Sequence, residues 1–223
     1  MYNYSIMHSR KNHGFTLVEL IVSISIFILM TSLLIANYGA FNNSVLLTDL
    51  AYDIALAIRT AQTYGISVQG QCSSGGGNCA SSNFQAPYGV AFCAISACSD
   101  SSQATFTNQQ VVLFADTSPF KGSYGNSDQI VSPSYTIKRG AKIVDICTLG
   151  NGWQCGNART DITFLRPNPN ALICVSDTAG PNDCVDWGGT VQEVEIVVQA
   201  PDGSERAVIV RNTGQISVEN HRL

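Results

Sequence analysis

Eight cysteines, three histidines and one carboxylate inside an apolar run are the residues whose types and spacing could support chemistry. The cysteines are Cys72, Cys79, Cys93, Cys98, Cys147, Cys155, Cys174 and Cys184. They fall in four close pairs, each in turn-rich sequence; Cys72 and Cys79, for instance, bracket Gly75, Gly76 and Gly77. In an exported domain such cysteines form disulfides. Eight allow about 105 connectivities, and pairing of neighbours is the favoured scheme. Zinc is a weak alternative, because no Cys-x-x-Cys occurs and histidine is scarce. Trp153 and Trp187 each lie beside a cysteine, which predicts packing on a disulfide.

The histidines offer less. His8 and His13 precede the apolar run, which leaves His221, two residues from the end of the sequence. A Ser-His-Asp triad, a Cys-His pair or a His-bound metal needs a positioned imidazole. A frayed tail seldom positions one. No His-Glu-x-x-His, Gly-x-Ser-x-Gly or phosphate-binding loop is present. Asp116 with Asp128, and Asp177 with Asp183 and Asp186, could offer loop carboxylates to calcium. EF-hand spacing is absent, so solvated acidic loops are the preferred reading. The chain therefore reads as no enzyme, with no catalytic residue, no metal and no cofactor.

The carboxylate is Glu19. From Phe15 to Ala36 it is the one ionisable residue. A helix of about 22 residues is roughly 33 Å long, which matches a hydrocarbon core of about 30 Å. A helix also satisfies its own backbone inside lipid. A carboxylate there costs about 2.5–3.5 kcal/mol, less near the interface, and needs compensation. Thr16-x-x-Glu19 fits a capping box, with Glu19 reaching back to a free N–H. The alternative is that Glu19 awaits a positive partner.

Ser9, Arg10, Lys11, Asn12, His13 and Gly14, followed by Phe15, Thr16, Leu17, Val18, Glu19 and Leu20, form a sequence that resembles the prepilin-type cleavage and methylation motif. Type IV pilins and type II secretion pseudopilins carry it. The resemblance implies that a prepilin peptidase/methylase cuts after Gly14 and methylates the new terminus at Phe15. It implies that Glu19 aligns subunits in a helical filament. It also implies other pilin or pseudopilin subunits, a membrane assembly platform and the lipid bilayer as partners.

The elements around these residues fit that picture. Gly39, Asn42 and Asn43 predict a kink or short break after the membrane run. Leu47, Leu50, Ala51, Ile54, Ala57, Ile58 and Ala61 then recur at helical spacing, while Asp49, Asp53 and Arg59 lie off the stripe. This predicts an amphipathic helix from about Val45 to Tyr64, closed by Gly65 and packed on a sheet. Strands are expected near 88–94, 111–115, 135–138, 142–146, 161–165, 172–175, 191–199, 205–211 and 215–218. In the clearest, Val194, Ile196 and Val198 share one face, and Glu193, Glu195 and Gln199 the other. The 116–134 loop reads as a surface excursion and 166–170 as a rigid turn. No strand–helix alternation appears, so the sheet should be mostly antiparallel.

The expected fold is α+β and pilin-like. Its parts are a leader at 1–14, a transmembrane helix at 15–38, an amphipathic helix at 39–64 and a disulfide-bonded β-rich domain at 65–223. This layout is similar to the minor pseudopilins and pilins grouped as GspH/FimT-like. Arg10 and Lys11 put the N-terminus in the cytoplasm, so the β-rich domain lies outside the plasma (inner) membrane, in the periplasm or beyond. Two of the twelve Lys and Arg lie in residues 1–14, so the remainder carries ten against sixteen acids, a formal −6. That argues against nucleic acid as a partner. A structural filament subunit, minor in abundance, is the first reading. The alternative is a filament-tip binding module, an adhesin or DNA-uptake receptor, on the same anchor.

Overall fold

The longest element is one helix, α1, running from Leu17 to Ile66. In the computed structural model the described residues are 14–67, 70–72, 82–83, 86–99, 105–117, 120–125, 128–131, 135–150, 152–176 and 191–222. The chain forms two compact units, divided between Asn42 and Asn43. Helical backbone carries through 37–44, so of the expected kink or short break, the break does not occur. A single glycine costs a helix about 1 kcal/mol. Strong helix formers on both sides absorb that cost.

Fifteen strands follow among the described residues: β1 Gln71–Cys72, β2 Ser82–Asn83, β3 Tyr88–Cys93, β4 Cys98–Ser99, β5 Thr105–Phe106, β6 Gln110–Ala115, β7 Gln129–Ile130, β8 Tyr135–Thr136, β9 Lys142–Leu149, β10 Trp153–Gln154, β11 Arg159–Phe164, β12 Ala171–Ser176, β13 Glu193–Gln199, β14 Glu205–Arg211 and β15 Ile216–Glu219. Five form a sheet in the order β10-β9-β13-β14-β15. Six form a second, β12-β11-β3-β6-β7 with β8 beside β6. Every pairing is antiparallel. The fold is therefore α+β, an N-terminal apolar helix followed by a mostly antiparallel β-domain.

The amphipathic part of α1 is the centre of that domain. Leu47, Leu50, Ala51, Ile54, Ala55, Ile58 and Ala61 are all buried. They share one core with Val90, Leu113 and Ile162 of the six-stranded sheet. Ile143, Val194, Ile196 and Val208 of the five-stranded sheet complete it. Ala55 is buried where the spacing put Ala57, which packs at the rim. The alanines let backbones approach, and fully burying a Leu or Ile contributes about 1.5–3 kcal/mol.

Gly65 does not close the helix; it lies within the last turn. A Cβ there would stand 2.5 Å from the Phe164 carbonyl oxygen and 2.7 Å from Phe164 Cβ. The glycine is demanded by close approach of helix to β11. Nearby, Gln62 Nε2 donates to the Pro169 and Gly214 carbonyls, tying the helix to two turns at once. We expect Gly65→Ala to cost about 1–3 kcal/mol by overpacking. Urea unfolding of the full chain in detergent reads this out, and an unchanged midpoint would contradict the close packing.

A second, smaller core lies on the other face of the six-stranded sheet. It holds Ala91, Cys93, Cys98, Phe106, Val112, Phe114 and Tyr124. The 116–134 segment is thus no surface excursion. It begins at buried Asp116, buries Tyr124 and returns through edge strand β7.

Candidate functional site

The described part of the N-terminal motif begins at Gly14. Gly14, Phe15 and Thr16 precede the helix, and nothing lies within 4 Å of a Cβ built at Gly14. Phe15 is 80 % exposed. Thr16 caps the first turn: its Oγ1 accepts from the Glu19 N–H at 3.2 Å. Its carbonyl accepts from the Leu20 N–H at 3.1 Å. The reverse half of the capping box is missing. Among the described residues the Glu19 carboxylate has no hydrogen-bond or ion-pair partner.

The other polar groups of this segment are satisfied within the helix. Ser23 and Ser25 donate to the carbonyls of Glu19 and Ile21, both at 2.8 Å. Thr31 and Ser32 do the same to Phe27 and Leu29. Such back-bonding leaves no hydroxyl demanding water inside lipid. Leu17–Ile35 is long and apolar enough to cross a membrane, and none of its most apolar stretch is buried within the protein. An apolar helix with all faces exposed belongs in lipid or against other helices.

Residues 9–35 match the family model of the prokaryotic N-terminal methylation motif. The match supports a type IV pilin-like family. No curated protein and no solved structure matches the chain. The pilin-like motif belongs to structural subunits rather than enzymes, and it implies processing by prepilin peptidase and assembly with other pilins. The apolar helix fits a membrane-anchored pilin.

Among the described residues, two complete disulfides are present. Cys93–Cys98 closes the turn after β3, and Cys147–Cys155 joins β9 to the segment after β10. Cys174 is also disulfide-bonded. Cys79 and Cys184 lie outside the described residues, as do Asp177, Asp183, Asp186 and Trp187. Asp145 forms a ligand-type trio with Cys147 and Cys155, but both sulfurs are consumed in the bridge. Trp153 packs under a cation: the Arg222 guanidinium lies 5.7 Å from its ring centre.

Asp116 is buried, Asp128 is half-buried, and both accept from backbone amides of their own loop. Asp116 Oδ2 accepts from the Gly122 N–H at 2.7 Å and the Lys121 N–H at 3.0 Å. Asp128 accepts from Thr117 at 2.9 Å and Gly125 at 2.8 Å. The carboxylates organise the loop by capping its own amides, as Asx residues do in turns. Beside them Asp161 is held by Arg159. Burial pushes Asp116 up to about 7, with the charges of Asp128 and Asp161 adding to it. Burial likewise pushes Asp128 up to about 6.

These shifts have a sign. The folded domain holds protons that the unfolded chain releases above its ordinary carboxylate value of about 4. Stability should therefore fall as pH rises from about 4 to about 7, then level off. The contribution of Asp116 is at most about 4 kcal/mol. Asp116→Asn should flatten that slope. Thermal unfolding from pH 4 to 8 measures it, and equal slopes for both proteins would contradict the assignment.

His221 was expected on a frayed end, but it is held. Its Nδ1 lies 3.0 Å from Glu195 Oε1, and its side chain is mostly buried. Glu193 and Glu195, on the face opposite Val194 and Ile196, are 5 % and 1 % exposed.

Proposed function

We propose that the chain is a minor structural subunit of a type IV pilus or type II secretion filament, of the GspH/FimT-like kind. It is cleaved after Gly14, methylated at Phe15 and assembled through its N-terminal helix. Its N-terminus starts in the cytoplasm, and its bridged β-domain lies outside the membrane. The single observation that carries this reading is Glu19. Every hydroxyl noted in the apolar helix is satisfied from within, while this one carboxylate has no partner among the described residues.

A lone helix gains nothing from such a carboxylate, whereas a packed array of helices does. Cleavage at Gly14 frees an amine at Phe15, and methylation leaves it basic. An amine on an adjacent subunit supplies the charge that Glu19 lacks. The pairings Cys72–Cys79 and Cys174–Cys184 extend the neighbour scheme, which suits an oxidising compartment.

Mass spectrometry of protein from the native host tests this. The mature chain should begin at methylated Phe15, and non-reducing peptide maps should return the four neighbour pairs. An intact Met1, or a cut near Ala40, would overturn the reading. Crossed cysteine pairs would overturn the connectivity alone.

A further inference from the structure

The outer face of the five-stranded sheet carries a charge arrangement that the proposed assembly through the N-terminal helix does not call on. Glu193 and Glu195 lie on β13 in nearly complete burial. Unpaired, two such carboxylates would be strongly destabilising. Glu193 is paired twice. Its Oε2 accepts from Arg211 Nε of β14, and its Oε1 from Arg222 Nη1, both at 2.7 Å. Glu195 depends on the segment that follows β15. Its Oε1 lies 3.0 Å from His221 Nδ1 and accepts from the Arg222 N–H at 3.4 Å.

We propose that Asn220–Arg222 is a proton-operated clasp on this sheet face, closed when His221 is protonated and loosened when it is neutral.

Among the described residues, the other charged groups around this contact are already committed or bear the wrong sign. On β14, Glu205 Oε2 lies 4.0 Å from His221 Nε2, so a second carboxylate faces the imidazole. On β15, Glu219 is engaged by Arg222 Nη2 at 3.1 Å and by the Ser217 hydroxyl. Arg211 also donates to Gln215. On β9 the residue opposite Glu195 is Cys147, which is in a disulfide and does not titrate. Asp145, on the same strand, is held by the Ile146 and Gly156 amides. His221 is thus the side chain placed to compensate Glu195 when it carries a proton.

An imidazole ordinarily gives up its proton near pH 6.5. Neutral His221 can still donate from Nδ1, but the charge of Glu195 is then uncompensated in a dry site. The clasp gains from the proton and weakens without it. Arg222, stacked on Trp153 and bridging Glu193 and Glu219, is bound at every pH and keeps the loosened segment tethered.

Amide hydrogen exchange on the full chain in detergent micelles tests this. After correction for intrinsic rates, protection over Ile216–Arg222 should fall about tenfold between pH 5.5 and 8. Strand β13 serves as the internal reference, and exchange at Phe114 and Ile130 reports the acidic loop separately. His221→Arg should hold the segment at both pH values. His221→Gln should leave it weakly protected at both, with unchanged circular dichroism and an intact β13. Wild-type protection that is equal at the two pH values would overturn the clasp. So would a His221→Gln variant that retains the wild-type response.

Discussion

Glu19→Ala should enter filaments at least about tenfold less efficiently than the wild type. Two unit charges about 4 Å apart attract by roughly 4 kcal/mol at an effective dielectric near 20, before desolvation is subtracted. A tenfold change needs about 1.4 kcal/mol. The surplus survives a desolvation cost of more than half the attraction. The substitution should spare membrane insertion, since it removes a charge that lipid disfavours. It should also spare the β-domain, because Glu19 belongs to the other compact unit. The Thr16 cap accepts from the backbone N–H of residue 19 and survives too. Glu19→Val should behave the same way. The measurement compares each variant in sheared filaments of the native host at matched membrane levels. Wild-type incorporation would mean that the carboxylate aligns nothing.

Arg159→Ala should destabilise the β-domain by about 3–5 kcal/mol, the range found when one partner of a buried ion pair is removed. Arg159 is fully buried on β11. Its Nε donates to Asp161 Oδ2 at 2.8 Å and its Nη2 to Asp161 Oδ1 at 3.0 Å. Nη2 also donates to the Tyr124 carbonyl at 2.6 Å, and the guanidinium lies 5.2 Å from the centre of the Phe106 ring. One side chain thus joins β11, the acidic loop and strand β5. Burial already pushes Asp161 up despite this partner, and without it the carboxylate would be stranded. Replacing both groups with apolar residues, Arg159→Met with Asp161→Leu, should recover most of the loss. Denaturant titrations of single and double variants decide it. A single variant that loses less than about 1 kcal/mol would show that Asp161 is not uncompensated.

Much of the fold was legible because its apolar residues keep strict periods. The helix stripe from Leu47 to Ala61 repeats at 3.6 residues. Val194, Ile196 and Val198 alternate at two, so all nine expected strands are present within a few residues. The six strands that were not expected, β1, β2, β4, β5, β7 and β10, have two residues each, too few to carry a period. Polar burial was the harder part. Glu193 and Glu195 alternate with apolar Val194 and Ile196, and Arg159 and Asp161 flank Thr160, as solvent-facing residues do. Alternation gives the face but not what covers it. Asp161 lies under a loop far along the chain, and Glu195 under residues at 221 and 222. Gly65 carried the right residue type for a helix stop. The carbonyl it accommodates belongs to Phe164, 99 residues away, which no local pattern could reveal. The N-terminal motif lay at the opposite extreme, since its chemistry is written in contiguous residues.

Where the core helix lies in the chain also sets a timetable. Ile54 and Ile58 are made early, yet Val194, Ile196, Val208 and Val210, which share their core, come about 150 residues later. At a synthesis rate of about 5–20 residues per second, the wait is on the order of ten seconds. Throughout it the apolar stripe has no sheet to cover it. Contacts this distant also form slowly once both partners exist. The newborn chain therefore passes through a long interval in which its apolar stripe waits, uncovered, for the strands that complete its core.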